Sequence, residues 1–181
     1  MRLFFALWPP RQVAEALHDW ALRACGATSG RATHAGAIHL TLAFLGEVEE
    51  RLVPELSSIS AGGECHSLPI EQARHWARTR IVWVGPNETP APLRVLVEQL
   101  ASQLAERNFT IEKRPFAAHV TLLRKARRPA ELPELPQVDW AVQEFLLVRS
   151  RLSAAGPRYD VLKRYRLGSR RGKPEILLLQ Q

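Results

Sequence analysis

Two short stretches 80 positions apart carry the same pattern: His39-Leu40-Thr41-Leu42 and His119-Val120-Thr121-Leu122. In an extended strand, side chains two apart point to the same face. Each stretch therefore sets an imidazole beside a hydroxyl and turns its apolar residues towards a core. Both lie in apolar runs, IHLTLAFLG over 38–46 and RPFAAHVTLLR over 114–124, for which a strand is the natural local state. With six His and seven Thr in the chain, chance supplies roughly a quarter of one His-x-Thr, so a single match carries little weight. Two half-buried histidines satisfied by threonine hydroxyls would account for each motif alone, but not for the repetition. Any fold for this chain has to place two equivalent His strands.

The rest of the chain can be ordered around them. Leu3–Trp8 is a continuous apolar run, the pattern of a strand buried on both faces. Pro9 and Pro10 suit the first turn of a helix, in which Val13, Ala16, Leu17, Trp20, Ala21 and Ala24 form one stripe. Residues 26–36 have turn chemistry and lead into the first His strand, which Gly46 closes. Val48, Leu52, Leu56 and Ile59 predict a second helix, with Pro54 tolerable near its start. Residues 68–76 and 80–84 read as a hairpin. Pro92 opens a third helix whose Leu93, Leu96, Val97, Leu100 and Leu104 make a clean stripe ending near Asn108. After the second His strand, residues 124–128 hold four basic residues in five, and a Pro-rich connector covers 129–136. Residues 138–152 and 158–167 form a second pair of strands, 168–174 a basic turn, and 175–179 a short strand or tucked tail. The succession strand 3–8, helix, His39 strand is echoed by strand 80–84, helix, His119 strand. This suggests two similar lobes whose His strands face each other across a groove, with Phe44, by its parity with Leu40 and Leu42, turned into the core.

At 181 residues the chain suits one domain of two small lobes. No apolar run approaches the ~20 residues of a membrane span. Cys25 and Cys65 have neither redox nor zinc spacing, the pattern of reduced thiols in a cytoplasmic protein. Charge is uneven. Residues 1–112 carry 10 Lys/Arg against 12 Asp/Glu, whereas residues 113–181 carry 15 against 6, a net +9. Arginine dominates that excess, which favours phosphate geometry and an anionic partner.

Two imidazoles in a basic groove suit general acid–base catalysis near neutral pH. One can draw a proton from an attacking water while the other gives a proton to a leaving oxygen. Threonine hydroxyls and a nearby arginine can hold the non-bridging oxygens of a phosphate. A strained cyclic phosphodiester fits such a site and needs no covalent intermediate. Neither motif contains a carboxylate, which weakens a metal-site reading.

The paired HLTL and HVTL stretches, the RPFAAHVTLLR frame, the RLFFALWPP opening and the VRSRL…YDVLKRYRL close resemble the two-histidine (2H) phosphoesterases, in particular the RNA 2′,3′-cyclic phosphodiesterase or 2′-5′ RNA ligase family. The resemblance implies an α+β fold of two pseudo-symmetric βαβ-type lobes, with antiparallel sheets flanking a central groove and the whole chain, 1–181, as one two-lobed domain. It implies metal-independent hydrolysis of RNA or nucleotide 2′,3′-cyclic phosphates to 2′-phosphates, 2′-5′ ligation in vitro, no cofactor and no membrane partner; the oligomeric state is open, with a monomer favoured. Carried over by position, His39 is the proton donor, His119 the proton acceptor, and Thr41, Thr121 and Arg124 bind phosphate. Strict strand alternation, however, places Arg124 on the face opposite Thr121, so the strand must bend or end there. Ala118 stands where members of that family often have proline. Two other readings fit parts of the same sequence: a phosphodiesterase of small cyclic nucleotides or 2′,5′-oligoadenylate, and a non-catalytic RNA-binding module using the basic half.

Overall fold

The computed structural model describes residues 1–111, 114–129, 131–153 and 156–168. The first lobe opens with strand β1 (Arg2–Leu7), whose residues from Leu3 onward are all buried, as a strand covered on both faces requires. It ends one residue before the apolar run does, leaving Trp8 outside the ladder. Helix α1 (Arg11–Thr28) follows. It buries Val13, Ala14, Leu17, Trp20, Ala21 and Ala24, so Ala14 takes the place in the stripe that the spacing gave to Ala16. The helix runs two residues past Gly26, and the expected loop contains a two-residue strand, β2 (Arg31–Ala32), and a 3₁₀ turn at Ala35–Ala37. Strand β3 (Leu40–Glu47) then pairs antiparallel with β1.

The predicted 48–59 helix is split into a 3₁₀ turn (Glu50–Leu52) and the short α2 (Val53–Ser57), with Pro54 in its first turn where no amide is missed. The predicted 68–76 strand is also two pieces. His66–Leu68 forms β4, which pairs with a different strand, and β5 (Gln72–Trp76) makes the expected hairpin with β6 (Ile81–Gly85). Helix α3 (Ala91–Glu106) buries Leu93, Leu96, Leu100 and Leu104 as the stripe requires, and Asn108 terminates the segment in a left-handed conformation. Strand β7 (Val120–Arg124) pairs antiparallel with β6. The long 138–152 run breaks at Gln143 into β8 (Trp140–Val142), paired with β4, and β9 (Glu144–Ser153), whose antiparallel partner is β10 (Gly156–Arg166). The expectations for 169–179 lie outside the described residues.

Each lobe is thus a strand, a helix and a His strand paired antiparallel with the first strand: β1-α1-β3 and β6-α3-β7. The sheet order β10-β9-β1-β3-β7-β6-β5 places β3 and β7 side by side at the centre. They meet through a single residue pair, Leu40 with Val120, and then diverge. One hydrophobic core lies on the helix side, taking Leu3, Phe5 and Leu7 from β1, Val82 and Val84 from β6, and the stripes of α1 and α3. The opposite face of β1 and β9 carries a second small cluster, Phe4, Ala6, Leu146 and Val148, edged by Trp8 and Tyr159. Trp8, Leu146 and Tyr159 of that second face line an open groove of about 1500 Å³. Among the described residues, no helix is long and apolar enough to cross a membrane.

Candidate active site

The single β3–β7 pair sets the geometry. Because the strands run antiparallel through Leu40 and Val120, position 39 falls opposite 121 and position 119 opposite 41. Of these cross-motif neighbours, Thr41 and His119 line one hollow together. Both histidines stand one residue before their strands begin, and both are held in the same way. His39 Nδ1 lies 2.8 Å from the carbonyl of Ala37, and His119 Nδ1 lies 2.8 Å from the carbonyl of Ala117. A carbonyl can only accept, so each Nδ1 carries the hydrogen and donates it. That fixes the tautomer of both neutral rings and leaves each Nε2 as the nitrogen available for proton transfer.

Arg124 belongs to this face after all. In the β6–β7 ladder, Val82 pairs with Leu123 and Trp83 with Thr121, leaving Leu122 as an extra residue. A bulge of this kind shifts side-chain parity by one. Leu122 and Leu123 both turn into the core, and Arg124 is exposed on the same side as Thr121. Its charge acts on both His39 and Tyr159. The same bulge recurs at the matching place in the other lobe: Phe5 pairs with Ala43 and Ala6 with Thr41, leaving Leu42 extra. There it turns Phe44 out. Phe44 is 45% exposed rather than in the core, and it shares a hollow of about 1000 Å³ with Thr41, Trp76, Arg114 and His119. Arg2 sits over its ring at 5.1 Å.

The two imidazoles differ in their surroundings. Trp8 stacks on His39 with centroids 5.0 Å apart and 13° between the planes, and Phe4 and Tyr159 close in at 5.0 and 5.3 Å. Burial among these rings disfavours the charged form, and the positive charges of Arg124 and His119 add to it; together they push His39 down to about 4 despite its bond to Ala37. His119 faces Trp76 at 4.8 Å and Trp83 at 6.2 Å. Tyr159 is raised above the ordinary tyrosine value, chiefly by burial. Among the described residues no three His, Cys, Asp or Glu side chains converge as a metal-ligand set. The two rings have aromatic neighbours instead.

Sequence reasoning missed the aromatic wall of Trp8, Tyr159, Trp76 and Trp83. One signal was available: a strand buried on both faces, as β1 is, has a second face that something must cover.

Gly85 marks a further asymmetry. Leu7 pairs with Leu40 and Val84 with Val120, so Gly85 corresponds in position to Trp8. A Cβ at Gly85 would stand 2.6 Å from the carbonyl oxygen of Ala118, the residue before His119. Backbone would have to move to admit it. Gly85→Ala should therefore displace His119 and lower kcat by about 10- to 100-fold, the scale on which a catalytic group misplaced by an ångström acts. Steady-state kinetics beside circular dichroism would check it, since a lesion of the fold alone would also lose ellipticity.

Comparison with known proteins gives a consistent set of relatives. The family model described as LigT like Phosphoesterase matches residues 7–83 and again 84–159. The RNA 2′,3′-cyclic phosphodiesterase of Escherichia coli (strain K12) is 36% identical over 170 residues, covering 92% of this chain and 96% of its own. The protein of the same name from Thermus thermophilus is 33% identical over 196 residues, covering 97% and 94%. The crystal structure of E. coli LigT in complex with 3′-AMP superposes with a TM-score of 0.83 at 36% identity, covering 92% of this chain and 97% of that one.

Proposed function

Because the chain belongs to the LigT-like phosphoesterase family, we propose that it hydrolyses the 2′,3′-cyclic phosphate end of RNA, and of single nucleotides, to a 2′-phosphate. His39 and His119 divide the proton transfers. The observation that carries this reading is the matched pair of imidazoles, each tied through Nδ1 to the carbonyl two residues before it, on either side of the one β3–β7 residue pair. The activity named for the E. coli and Thermus relatives supports the substrate class.

In this mechanism the cyclic phosphate sits over the Leu40–Val120 crossing. The hydroxyls of Thr41 and Thr121 and the guanidinium of Arg124 hold its non-bridging oxygens, where charge builds as phosphorus becomes five-coordinate. His119 Nε2 takes a proton from water as the water oxygen bonds to phosphorus. The P–O3′ bond breaks, and the 3′ oxygen leaves with a proton from His39 Nε2. Water is consumed, a 2′-phosphomonoester and a 3′-hydroxyl result, and no covalent enzyme intermediate forms. We place the protein in the cytoplasm on the strength of its free thiols, Cys25 and the exposed Cys65, which persist in a reducing compartment.

The test is turnover of a nucleoside 2′,3′-cyclic phosphate in the presence of EDTA, with the product resolved as the 2′- or 3′-phosphate. Accumulation of the 2′-phosphate at an unchanged rate is expected. Loss of activity with chelator and its return with a divalent ion would replace acid–base catalysis with metal-assisted chemistry.

A further inference from the structure

The β5–β6 turn, β2 and the segment after β7 bring six cations together beside Arg124: Arg31, Arg78, Arg80, Lys125, Arg127 and Arg128. Arg31 stands opposite Arg124 across the β2–β7 pair. The Ala126 amide donates to the Arg80 carbonyl (2.9 Å), Arg80 Nη2 donates to the Lys125 carbonyl (3.2 Å), and the Arg127 amide donates to the Thr28 carbonyl (2.8 Å). Gly30 allows the close approach, since a Cβ there would stand 3.1 Å from the side chains of Ala126 and Leu123. Arg78, in the turn, and Arg128 complete the group. All six side chains are exposed.

Elsewhere on this surface some arginines find carboxylates, Arg11 with Glu15, Arg51 with Glu49, Arg149 and Arg151 with Asp160, Arg164 with Glu144, while others, Arg74, Arg94 and Arg107 among them, bond only to neutral acceptors, so what marks the present group is its density. Among the described residues, none of the six forms an ion pair. Arg80 and Lys125 moreover hold left-handed backbone conformations (φ 54° and 57°), where glycine or asparagine is the ordinary occupant. An unbalanced group of like charges destabilises the compact state unless an anion answers it. The group is continuous with the site, because Arg124, beside Arg31 and Ile81, reaches the groove through the bulge.

We propose that this cluster is a track for the RNA strand leading up to the reacting end, so that the preferred substrate is an oligoribonucleotide rather than a mononucleotide. The inference rests on the proposed function for its polarity. An RNA with a 2′,3′-cyclic phosphate has no nucleotide beyond that phosphate, so every other phosphate lies on its 5′ side. The track must therefore hold the upstream strand, and Arg124 stands where track and site join. Phosphate neutralisation here is electrostatic and indifferent to sequence.

The experiment compares the wild-type protein with the triple variant Arg78→Gln/Arg127→Gln/Arg128→Gln. Two substrates are used, a cyclic-phosphate-ended single-stranded RNA oligomer and a nucleoside 2′,3′-cyclic phosphate, with fluorescence anisotropy of the labelled oligomer across a salt series. The variant should bind the oligomer at least 10-fold more weakly at low salt. Its slope of log affinity against log salt should flatten by about 2, the contribution of three lost single-strand phosphate contacts. Its kinetics on the nucleoside substrate should match wild type. Unchanged oligomer affinity and slope in the variant would overturn the track, as would equal losses on both substrates. Failure of the wild-type protein to turn over the nucleoside substrate would count against the proposed function instead, leaving anisotropy to decide the track.

Discussion

Replacing His119 with alanine should cost between ~10² and ~10⁴ in turnover of a cyclic nucleotide, and replacing His39 should cost a similar factor, the usual contribution of a positioned acid–base group. The two lesions differ in their effect on the fold. His119 has an exposed Trp76 beside it, whereas His39 fills a space between Trp8, Phe4 and Tyr159. His39→Ala should therefore lower the melting temperature more than His119→Ala, and His39→Gln is the better probe of its chemistry. Thr41→Ala and Thr121→Ala should be milder, at about 10-fold or somewhat more, because each removes one bond to a charged oxygen. A His119→Ala protein with near-wild-type turnover would leave the repeated motif without a chemical role.

The second large effect is one of pH. Burial holds His39 at about 4 in the folded protein, below its ordinary value of ~6.5. The unfolded chain therefore binds this proton more readily, and stability rises with pH across the window between the two values. The contribution is fully present above ~6.5, is lost as pH falls towards 4, and amounts to about 3 kcal/mol at most. Denaturant midpoints between pH 4 and 7 would read it, and the trend should flatten in His39→Gln. The same shift appears in catalysis. The resting protein holds His39 neutral above about 4, so as donor it must take up its proton as substrate arrives. The bound phosphodiester anion opposes the charge of Arg124, which disfavours the imidazolium. The acid limb of kcat/KM, which reports the free protein, should accordingly lie near 4, and that of kcat should lie higher. Arg124→Gln should move the kcat/KM limb upward, since a charge that lowers His39 is gone.

Periodic features were legible in the sequence. The stripes of α1 and α3 follow from 3.6-residue spacing, and the two His strands from their apolar setting and repetition. The side chains that finish the site were not. Both bulges fall on leucines, Leu42 and Leu122, with no glycine to mark them, so strict alternation sent Arg124 and Phe44 to the wrong face. The roof over His39 joins Trp8 to Tyr159 across 151 positions. The exchange of β4 from the expected hairpin to β8 is likewise a long-range pairing, His66 with Val142, that no local pattern encodes. Local propensity selects elements, whereas packing across the sheet decides where they break and what they present.

The division of labour between the two histidines is tested most directly by changing the leaving group. In a nucleoside 2′,3′-cyclic phosphate with sulfur in place of the 3′ bridging oxygen, the departing thiolate needs no proton, so the acid becomes dispensable while the base does not. Measure kcat/KM for wild type, His39→Gln and His119→Ala on the oxygen and sulfur substrates. His39→Gln should regain most of its lost activity on the sulfur substrate, and His119→Ala should stay impaired on both. Recovery by His119→Ala with none by His39→Gln would contradict the assignment and make His39, neutral in the resting protein, the base.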